Sequence, residues 1–307
     1  MITDLHLHFC DLARYTELEA YCRLMGVERA ALISLPHPEA GTFNSPVLSA
    51  VKKDPDRFIG FGALDYREKD YGRQVEAIKG AGFTGLKIWL GKPQVEKIFG
   101  LKTRDPALLE AFSAAEDLSM PVLYHAADPP DFWDSGGIYA GIEFDPFERY
   151  IGDAVFCAES FPDITFIIAH MFFLAGGLEK LTKILGSHPN IFLDLAPGRW
   201  FYYPLAADAE ESRTFFRAFC NRIFLGSDAL FFPESFKEFG HVSLEDNLQT
   251  TERIIRFISS DGIVDNPYSR TAAAHPVITG LGLDKESVRK IFSGNADKYF
   301  QKKEPVI

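Results

Sequence analysis

The sequence is poor in cysteine and contains no cysteine cluster. Its 307 residues include four cysteines, Cys10, Cys22, Cys157 and Cys220, and no two of them form a Cys-x-x-Cys pair. A disulfide-stapled secreted fold and a cysteine-rich zinc site both need closely spaced cysteines, so this scatter argues against both. The pattern predicts reduced thiols and a cytoplasmic protein.

Long apolar runs and basic runs are also missing. No apolar stretch reaches the ~20 residues that span a bilayer. The first eight residues, MITDLHLH, show no basic region followed by an apolar one, which argues against a signal peptide. Lysine and arginine total 32 against 43 aspartate and glutamate, a net charge of −11, and no basic run exceeds two residues. This balance excludes neither enzyme nor scaffold, but it argues against nucleic-acid and membrane partners.

The composition is that of an ordinary globular protein. Hydrophobic residues make up 47% of the chain and charged residues 24%, which allows a large core without disulfides. The length would permit two domains, but an α/β barrel often exceeds roughly 250 residues as one unit. We therefore expect a single domain over residues 1–307.

Short apolar runs that favour β-strand alternate with amphipathic stretches that favour helix. The predicted strands are Ile2–Leu7, Ala30–Leu35, Arg57–Ala63, Phe83–Trp89, Pro121–His125, Ile164–Ala169, Asn190–Leu195 and Arg222–Gly226. Strands joined by crossover helices are parallel, and eight such units close into a (β/α)8 TIM barrel. A doubly wound sheet is the alternative, but the glycine-rich turn that usually follows its first strand is absent here. The predicted fold class is therefore an α/β TIM barrel.

Two connections of this predicted barrel are long. One is Ala126–Asp145 after the fifth strand, and the other combines Ala229–His241 with Asp261–His275 after the eighth. Both follow the carboxyl ends of strands, which is the rim where TIM barrels build their active sites.

Polar side chains recur at that same rim. They are His6 and His8 at the first strand, Lys87 at the fourth, His125 at the fifth, His170 after the sixth and Asp228 after the eighth. Residues two apart in a strand share a face, so both histidines of the first pair should point into the barrel mouth. Each residue alone has an ordinary structural explanation, such as capping or core packing. The imidazoles and the carboxylate among them together form a ligand set that suits Zn²⁺ and related cations.

Six motifs, taken in order, resemble the amidohydrolase superfamily, and more narrowly its amidohydrolase-related branch of metal-dependent hydrolases and non-oxidative decarboxylases. They are His6-Leu-His8, Gly85-Leu-Lys87, Val122-Leu-Tyr-His125, Ile167-Ile-Ala-His170, Leu225-Gly-Ser-Asp228 and Ile291-Phe-Ser-Gly-Asn-Ala296. The resemblance extends from Met1 to about Phe300. The chain departs from the branch at His170-Met-Phe-Phe173, where a small, glycine-containing turn is usual, so the pocket near His170 should have its own shape.

The resemblance implies one divalent metal ion, usually zinc, held by His6, His8, His125 and Asp228. His170 would lie beside the ion as a proton-transfer or substrate-orienting group, and Asp228 would also act as the catalytic proton carrier. Lys87 corresponds to a position that is carboxylated and bridges two ions in binuclear relatives; we favour an unmodified lysine near the substrate. Asp194, at the end of the seventh strand, is either a partner of a ligand or purely structural.

The implied function is a metal-dependent hydrolase that cleaves a C–N or C–O bond of a small carboxylated or cyclic substrate through a metal-activated water. A non-oxidative decarboxylase or hydratase with the same metal site is the first alternative, and a catalytically silent binding barrel is the second. Candidate substrate-binding residues are Lys87, Arg199, Trp133 and Tyr202, although the aromatic ones could equally pack their loops. The partner is a small molecule, and the long loops leave a homo-oligomer open.

Overall fold

The computed structural model describes residues 1–196, 198–233 and 242–300. Its main sheet contains β1 (Ile2–Phe9), β2 (Val27–Ile33), β3 (Phe58–Ala63), β4 (Gly85–Gly91), β5 (Val122–Ala126), β6 (Phe166–Ile168), β7 (Ile191–Asp194), β8 (Ile223–Phe224) and β9 (Ala229–Phe231). All neighbours are parallel, in the order β8-β7-β6-β5-β4-β3-β2-β1-β9. The predicted TIM barrel is confirmed.

The barrel closes through an interrupted eighth strand. β8 pairs with β7, whereas β9 pairs with β1, and residues 225–228 lie between the two halves. Two backbone hydrogen bonds of 2.8 Å connect residues 225–228 to β1. The Leu5 N–H donates to the Leu225 carbonyl, and the Asp228 N–H donates to the His6 carbonyl. The sequence prediction of a loop beginning at Ala229 is therefore wrong at its start, because Ala229–Phe231 completes the cylinder. Residues 234–241 of that expected loop lie outside the described residues.

Helices cover the outside of the cylinder. They are α1 (Tyr15–Met25), α2 (Asn44–Lys53), α3 (Tyr71–Ala81), α4 (Pro93–Phe99), α5 (Pro106–Asp117), α6 (Phe147–Ser160), α7 (Leu178–Ser187), α8 (Tyr202–Ala207), α9 (Ala209–Phe219), α10 (Leu244–Ser259), α11 (Ser269–Ala272), α12 (Lys285–Arg289) and α13 (Asn295–Tyr299). Their ends follow local chemistry: Gly26 ends α1 with φ 66°, Asp105 caps α5, and Ser243 begins α10 in a capping box. No described helix has the length and apolarity needed to cross a bilayer.

An apolar plug fills the interior of the barrel. Its buried members come from seven strands and from α13 and its end, namely Leu5, Ala31, Ile33, Phe61, Leu123, Ile167, Phe192, Phe224, Ala296 and Phe300. Side chains from these seven strands pack against one another, as in the layered interior of TIM barrels. The plug contains no polar side chain, and the polar candidate site residues lie at the carboxyl-terminal rim.

Two excursions extend over that rim. The β5–α6 loop spans residues 127–146, and the α10–α12 excursion spans residues 260–284. The second contains α11 and an antiparallel hairpin of Ile263–Asp265 with Val277–Thr279. A smaller hairpin, Pro36–His37 with Gly41–Thr42, follows β2.

Candidate metal centre

An irregularity in β1 aims its two histidines at the mouth. The register of β1 against β2 shifts between Asp4 and Leu7, so Leu5 enters the apolar plug. His6 and His8 follow on the mouth side, both buried, while Leu7 packs outward in the main core. The bulge therefore lets one strand supply both a plug residue and two convergent imidazoles.

Asp228 reaches the histidines because the eighth strand is interrupted beside them. Its backbone is left-handed, with φ 58°, and its N–H donates to the His6 carbonyl. Gly226 allows this approach, since a Cβ at that position would lie 2.7 Å from the Cβ of His6. A non-glycine residue in the left-handed region costs about 1 kcal/mol or more, which is typical of functional sites.

Three atoms that could bind a metal ion converge at this point. His6 Nε2 lies 3.1 Å from His8 Nε2, and Asp228 Oδ1 lies 3.6 Å from the first and 3.2 Å from the second. The side chains of the two histidines are 0% and 4% exposed, whereas that of Asp228 is 30% exposed and gives the group access to solvent. Among the described residues, this is the group whose His, Cys and carboxylate atoms are close enough to share an ion.

Asp194 orients the group from behind. Its Oδ2 lies 2.7 Å from His6 Nδ1, and its Oδ1 accepts from the backbone N–H of His170 at 2.8 Å. Nδ1 of His6 is thereby occupied, which leaves Nε2 facing the other two ligand atoms. The open question about Asp194 is answered by its contacts: it is a partner of a candidate ligand.

Burial controls the charges of the centre. Desolvation lowers the pKa of His6 and of His8, so both imidazoles are neutral and can offer lone pairs. Burial would raise the pKa of Asp228, but its hydrogen bond with His8 lowers it, and the pKa lies well below its usual range. The carboxylate is therefore ionised beside two neutral imidazoles.

His125 stands apart from the three-residue group. Its Nε2 lies 3.4 Å from Asp128 Oδ1, and its ring stacks on Trp89 with centroids 5.5 Å apart. Its Nδ1 is buried without a hydrogen-bond partner among the described residues, and its ring centroid lies 4.9 Å from that of His170. Burial lowers the pKa of His125 to about 3, so this imidazole is also neutral. Asp128 is itself fixed by Lys92 Nζ at 2.9 Å.

Lys87 is fully buried and unpaired. Its Nζ has no hydrogen-bond partner in the described part of the chain and lies 4.6 Å from the centroid of the Trp89 ring. Burial lowers the pKa of Lys87 to about 8, although the carboxylates of Asp194 and Asp228 act in the opposite direction. An amine in this state is partly uncharged near neutral pH.

The turn after β6 has an unusual backbone. Residues 170–173, which we call the left-handed turn, have φ values of 55°, 52°, 58° and 55°, and none of them is glycine. A bulky residue in this region costs about 1–2 kcal/mol. The turn is held by the His170 N–H bond to Asp194 and by His170 Nδ1, 3.0 Å from the Ala196 carbonyl. It places Phe173 against His170, with ring centroids 4.9 Å apart.

A cavity of about 580 Å³ reaches Asp228 from solvent, and we call it the arginine cavity. Arg199 and Arg253 line it together with Tyr202. Tyr202 is 1% exposed and its hydroxyl has no partner among the described residues. Trp133 lies elsewhere: its Nε1 donates to the Asp145 carbonyl at 2.9 Å, and its ring packs in an aromatic cluster of the β5–α6 loop.

Sequence reasoning missed three residues of the site region. Arg253 carries no local signal, because its helical position gives no indication that α10 faces the mouth. Asp128 and Trp89 hold His125, and both lie within three residues of a predicted strand end. Proximity to those ends was the signal that could have identified them.

Comparison with known proteins identifies relatives of the whole chain. A family model described as amidohydrolase matches residues 18–302. No curated protein matches the sequence.

Solved structures share the fold at low sequence identity. A probable 2-pyrone-4,6-dicarboxylic acid hydrolase from Acinetobacter baumannii, with citric acid bound, is 14% identical, with 97% of this chain and 98% of that one covered and a TM-score of 0.58. An uncharacterized TIM-barrel protein from Bordetella bronchiseptica is 15% identical over 97% and 98%, with a TM-score of 0.62. A dihydroxybenzoic acid decarboxylase from a Polaromonas species, with manganese and 2-nitroresorcinol bound, is 14% identical over 97% and 96%, with a TM-score of 0.53.

Proposed function

The chain belongs to the amidohydrolase family, and we propose on this basis that its three-residue group holds the ion of a metal-dependent hydrolase. It is an enzyme of that family, and its cofactor is a divalent metal. The substrate is a small carboxylated or cyclic molecule with a C–N or C–O bond to cleave. The observation that carries the proposal is the approach of His6 Nε2, His8 Nε2 and Asp228 Oδ1 to within 3.6 Å of one another.

The donor set fits a cation. Two imidazole nitrogens lie 3.1 Å apart, and an ionised carboxylate oxygen lies 3.2 Å from one of them and 3.6 Å from the other. An ion bound between the three atoms would take the place of the hydrogen bonds that join them, and the nitrogen-rich set favours zinc. We propose His125 as the fourth ligand through Nδ1, which is buried and unpartnered while Nε2 is near Asp128. Its ring would have to move toward the three-residue group, which does not include it in this structure. An imidazole with one nitrogen on a carboxylate and the other free is the usual arrangement of a ligating histidine.

Two side chains of this protein would transfer the proton and orient the substrate. A bound divalent ion polarises a substrate carbonyl and lowers the pKa of water. Asp228 is ionised and partly exposed, so it can accept a proton and return it to a leaving group. His170 is neutral because burial lowers its pKa, and we assign it to orient the substrate by hydrogen bonding.

Arginine side chains would select the substrate. Arg199 lines the cavity that reaches Asp228, and Arg253 lines the same cavity from α10. A guanidinium forms a planar fork that matches a carboxylate, so two of them favour an anionic substrate. The unpartnered Tyr202 hydroxyl supplies a further donor in the same cavity. We assign Trp133 a packing role in the β5–α6 loop. It would contact the substrate only if that loop rearranged.

The chemical state of Lys87 distinguishes a centre with one ion from a centre with two. We propose an unmodified lysine beside a single ion. A carboxylated Lys87 bridging two ions is the second candidate, favoured by a pKa of about 8 and a buried Nζ without a partner. Metal analysis distinguishes them, since the first predicts one ion per chain and the second two.

One set of assays tests the function. Purified protein should contain about one zinc ion per chain by mass spectrometry and should open lactones or amides of ring carboxylic acids. Asp228→Asn should lower kcat/KM by about 1000-fold, because the proton acceptor is lost. The matched control is Asp208→Asn, in which asparagine caps α9 as well as aspartate does. Release of carbon dioxide without ring opening would favour the decarboxylase alternative, and absence of metal and of both activities would favour the silent barrel.

Two further properties belong to the proposal. All four cysteines are buried and unpaired, which supports a reducing, cytoplasmic location. Ile138 and Ile142 of the β5–α6 loop are 60% and 41% exposed, which supports self-association. Light scattering that finds only monomers at micromolar concentration would contradict the second.

A further inference from the structure

A buried carboxyl group lies behind the candidate metal centre. Asp4 belongs to β1, two residues before His6, and is 1% exposed. Burial of an ionisable side chain is costly unless its oxygens accept hydrogen bonds. The proposed reaction does not use Asp4, so its role follows from the contacts that it makes inside the fold.

One oxygen atom of Asp4 joins the two segments that carry His6 and Asp228. Asp4 Oδ1 accepts from the backbone N–H of His6 at 3.2 Å and from the backbone N–H of Ser227 at 3.0 Å. His6 belongs to the three-residue group, and Ser227 directly precedes Asp228, which also belongs to it. The same oxygen is therefore hydrogen-bonded to the backbone on both sides of the candidate centre.

Both of these N–H groups lie where the sheet is irregular. His6 is in the stretch of β1 where the register against β2 shifts, and Ser227 is in the interruption between β8 and β9. The ladder of backbone hydrogen bonds is disrupted at such places, so a buried N–H there needs another acceptor. Asp4 is that acceptor for both residues, and it thereby fixes the two irregularities relative to each other.

The second oxygen of Asp4 is held from the outside of the barrel. The Tyr21 hydroxyl of α1 donates to Asp4 Oδ2 at 2.8 Å, and its oxygen lies 2.9 Å from Thr251 Oγ1 of α10. The Tyr21 ring packs edge-on against Phe231 of β9, with ring centroids 5.8 Å apart. Asp4, Tyr21, Thr251 and Phe231 are all buried, so these contacts restrict rotation of the carboxyl group.

The distance between the candidate ligands depends on both segments that Asp4 joins. His6 Nε2 and Asp228 Oδ1 are 3.6 Å apart, and each atom is carried by one of those segments. Without the shared acceptor, the two segments could relax independently. Binding of a metal ion requires its ligands to be held within about 0.5 Å of the productive geometry. A loss of Asp4 should therefore weaken metal binding although its side chain is not in the three-residue group.

We propose that Asp4 is a positioning residue, which sets the spacing between His6 and Asp228 through the backbone of both segments. The hydrogen bonds to Asp4 described above come from uncharged donors, namely two backbone amides and a phenol. The carboxyl group therefore contributes the geometry of its two acceptor atoms, and a side chain of the same shape should replace it. The inference rests on the proposed function for the bound ion, whereas the fixed backbone is a property of the protein without the ion.

Zinc binding to the purified protein, measured by competition with a chelator, tests this role. Asp4→Ala removes the shared acceptor and should weaken zinc binding by about 10- to 100-fold. Asp4→Asn should stay within about threefold of the wild type, because its amide oxygen can accept both N–H bonds while its amide nitrogen donates to Tyr21. Phe61→Ala, which removes a buried ring from the plug, is the control and should keep its zinc affinity. Affinity kept in Asp4→Ala, lost equally in Phe61→Ala or lost equally in Asp4→Asn would overturn the proposal.

Hydrogen exchange of the metal-free protein separates this inference from the proposed function. Deuterium uptake over residues 223–231, measured by mass spectrometry, should be about tenfold or more faster in Asp4→Ala and unchanged in Asp4→Asn. Tyr21→Phe keeps the ring and is the milder variant if Asp4→Ala does not fold; uptake should rise by about fivefold, the value of one net hydrogen bond. Uptake equal to that of the wild type in the variant measured would overturn the proposal. A protein that binds no zinc but shows the expected rates would contradict the proposed function and support the positioning by Asp4.

Discussion

The plug and the mouth of the barrel satisfy their side chains in opposite ways. The plug is wholly apolar, and its members pack against one another, against Ile59 and against Tyr299. At the mouth, His8 Nδ1, Lys87 Nζ, His125 Nδ1 and Tyr202 Oη are buried without hydrogen-bond partners among the described residues. Left-handed non-glycine residues also gather there, at the left-handed turn and at Asp228. The difference indicates that the plug provides stability and that the mouth sacrifices some of it to hold reactive groups ready.

The largest stability effect should come from the plug. Phe61 is 0% exposed and packs edge-to-face on Phe300, so Phe61→Ala removes a fully buried ring. The free energy of unfolding should fall by about 3–5 kcal/mol, measured by denaturant titration. Phe61→Leu, which keeps most of the volume, should lose less than about 1.5 kcal/mol. Metal bound per folded chain should not change, and a loss of metal in the folded fraction would show that the plug and the mouth are not separate.

At the mouth, removal of the Lys87 charge should raise the free energy of unfolding, whereas truncation in the plug should lower it. Lys87 has its pKa lowered from 10.5 to about 8, so below pH 8 the fold keeps an amine whose charged form burial disfavours. Lys87→Met should therefore raise the free energy of unfolding of the metal-free protein by about 3 kcal/mol below pH 8. That gain should shrink as pH rises and vanish near pH 10.5, where the unfolded chain also loses its proton.

Two comparisons check the Lys87 prediction. Lys69→Met, at an exposed position, should leave stability nearly unchanged at every pH. Activity should fall in Lys87→Met although stability rises, which is the stability–activity trade-off expected of a functional group. A destabilised Lys87→Met protein at pH 7 would indicate that Lys87 supports the fold.

The same contrast explains what the sequence could predict. Barrel strands are found from local signals: apolar runs between caps such as Asp105 and Ser243 recur along the chain. His6, His8 and Asp228 could be brought together on paper because parallel strands share one rim. The interruption between β8 and β9 could not be predicted from the sequence, because each half pairs with a different distant strand.

The positions of side chains that depend on tertiary packing could not be predicted from the sequence. Arg253 lies at the mouth only because α10 is oriented toward it, and Trp133 packs inside its own loop because aromatic neighbours surround it. His125 was expected beside His6, yet its Nε2 is nearest to Asp128, which the sequence did not single out. Local pattern thus identifies which residues reach the rim, but not which of their atoms face one another.

Asp194 allows a smaller test of how the mouth is organised. Asp194→Asn removes the negative charge that holds His6 Nδ1 while it keeps the size of the side chain. Metal affinity should fall by about 10- to 100-fold, measured by competition with a chelator. Asp70→Asn at the start of α3 is the control, because asparagine also caps helices. Unchanged metal affinity in Asp194→Asn would mean that His6 is oriented by packing alone.

The smallest expected effect concerns backbone strain at the opposite end of the barrel. Ser119 has φ 48°, is exposed, and precedes β5 at the end of the barrel opposite the candidate metal centre. Because it makes no buried contact, Ser119→Gly should relieve strain and raise the free energy of unfolding by about 1 kcal/mol, with activity unchanged. Met171 has a similar φ of 52° but is 1% exposed, so Met171→Gly also loses a buried side chain and should destabilise the protein by about 1–3 kcal/mol net. Thermal unfolding of the two variants measures the contrast. A Met171→Gly protein as strongly stabilised as Ser119→Gly would show that the Met171 side chain contributes nothing to the packing of the left-handed turn.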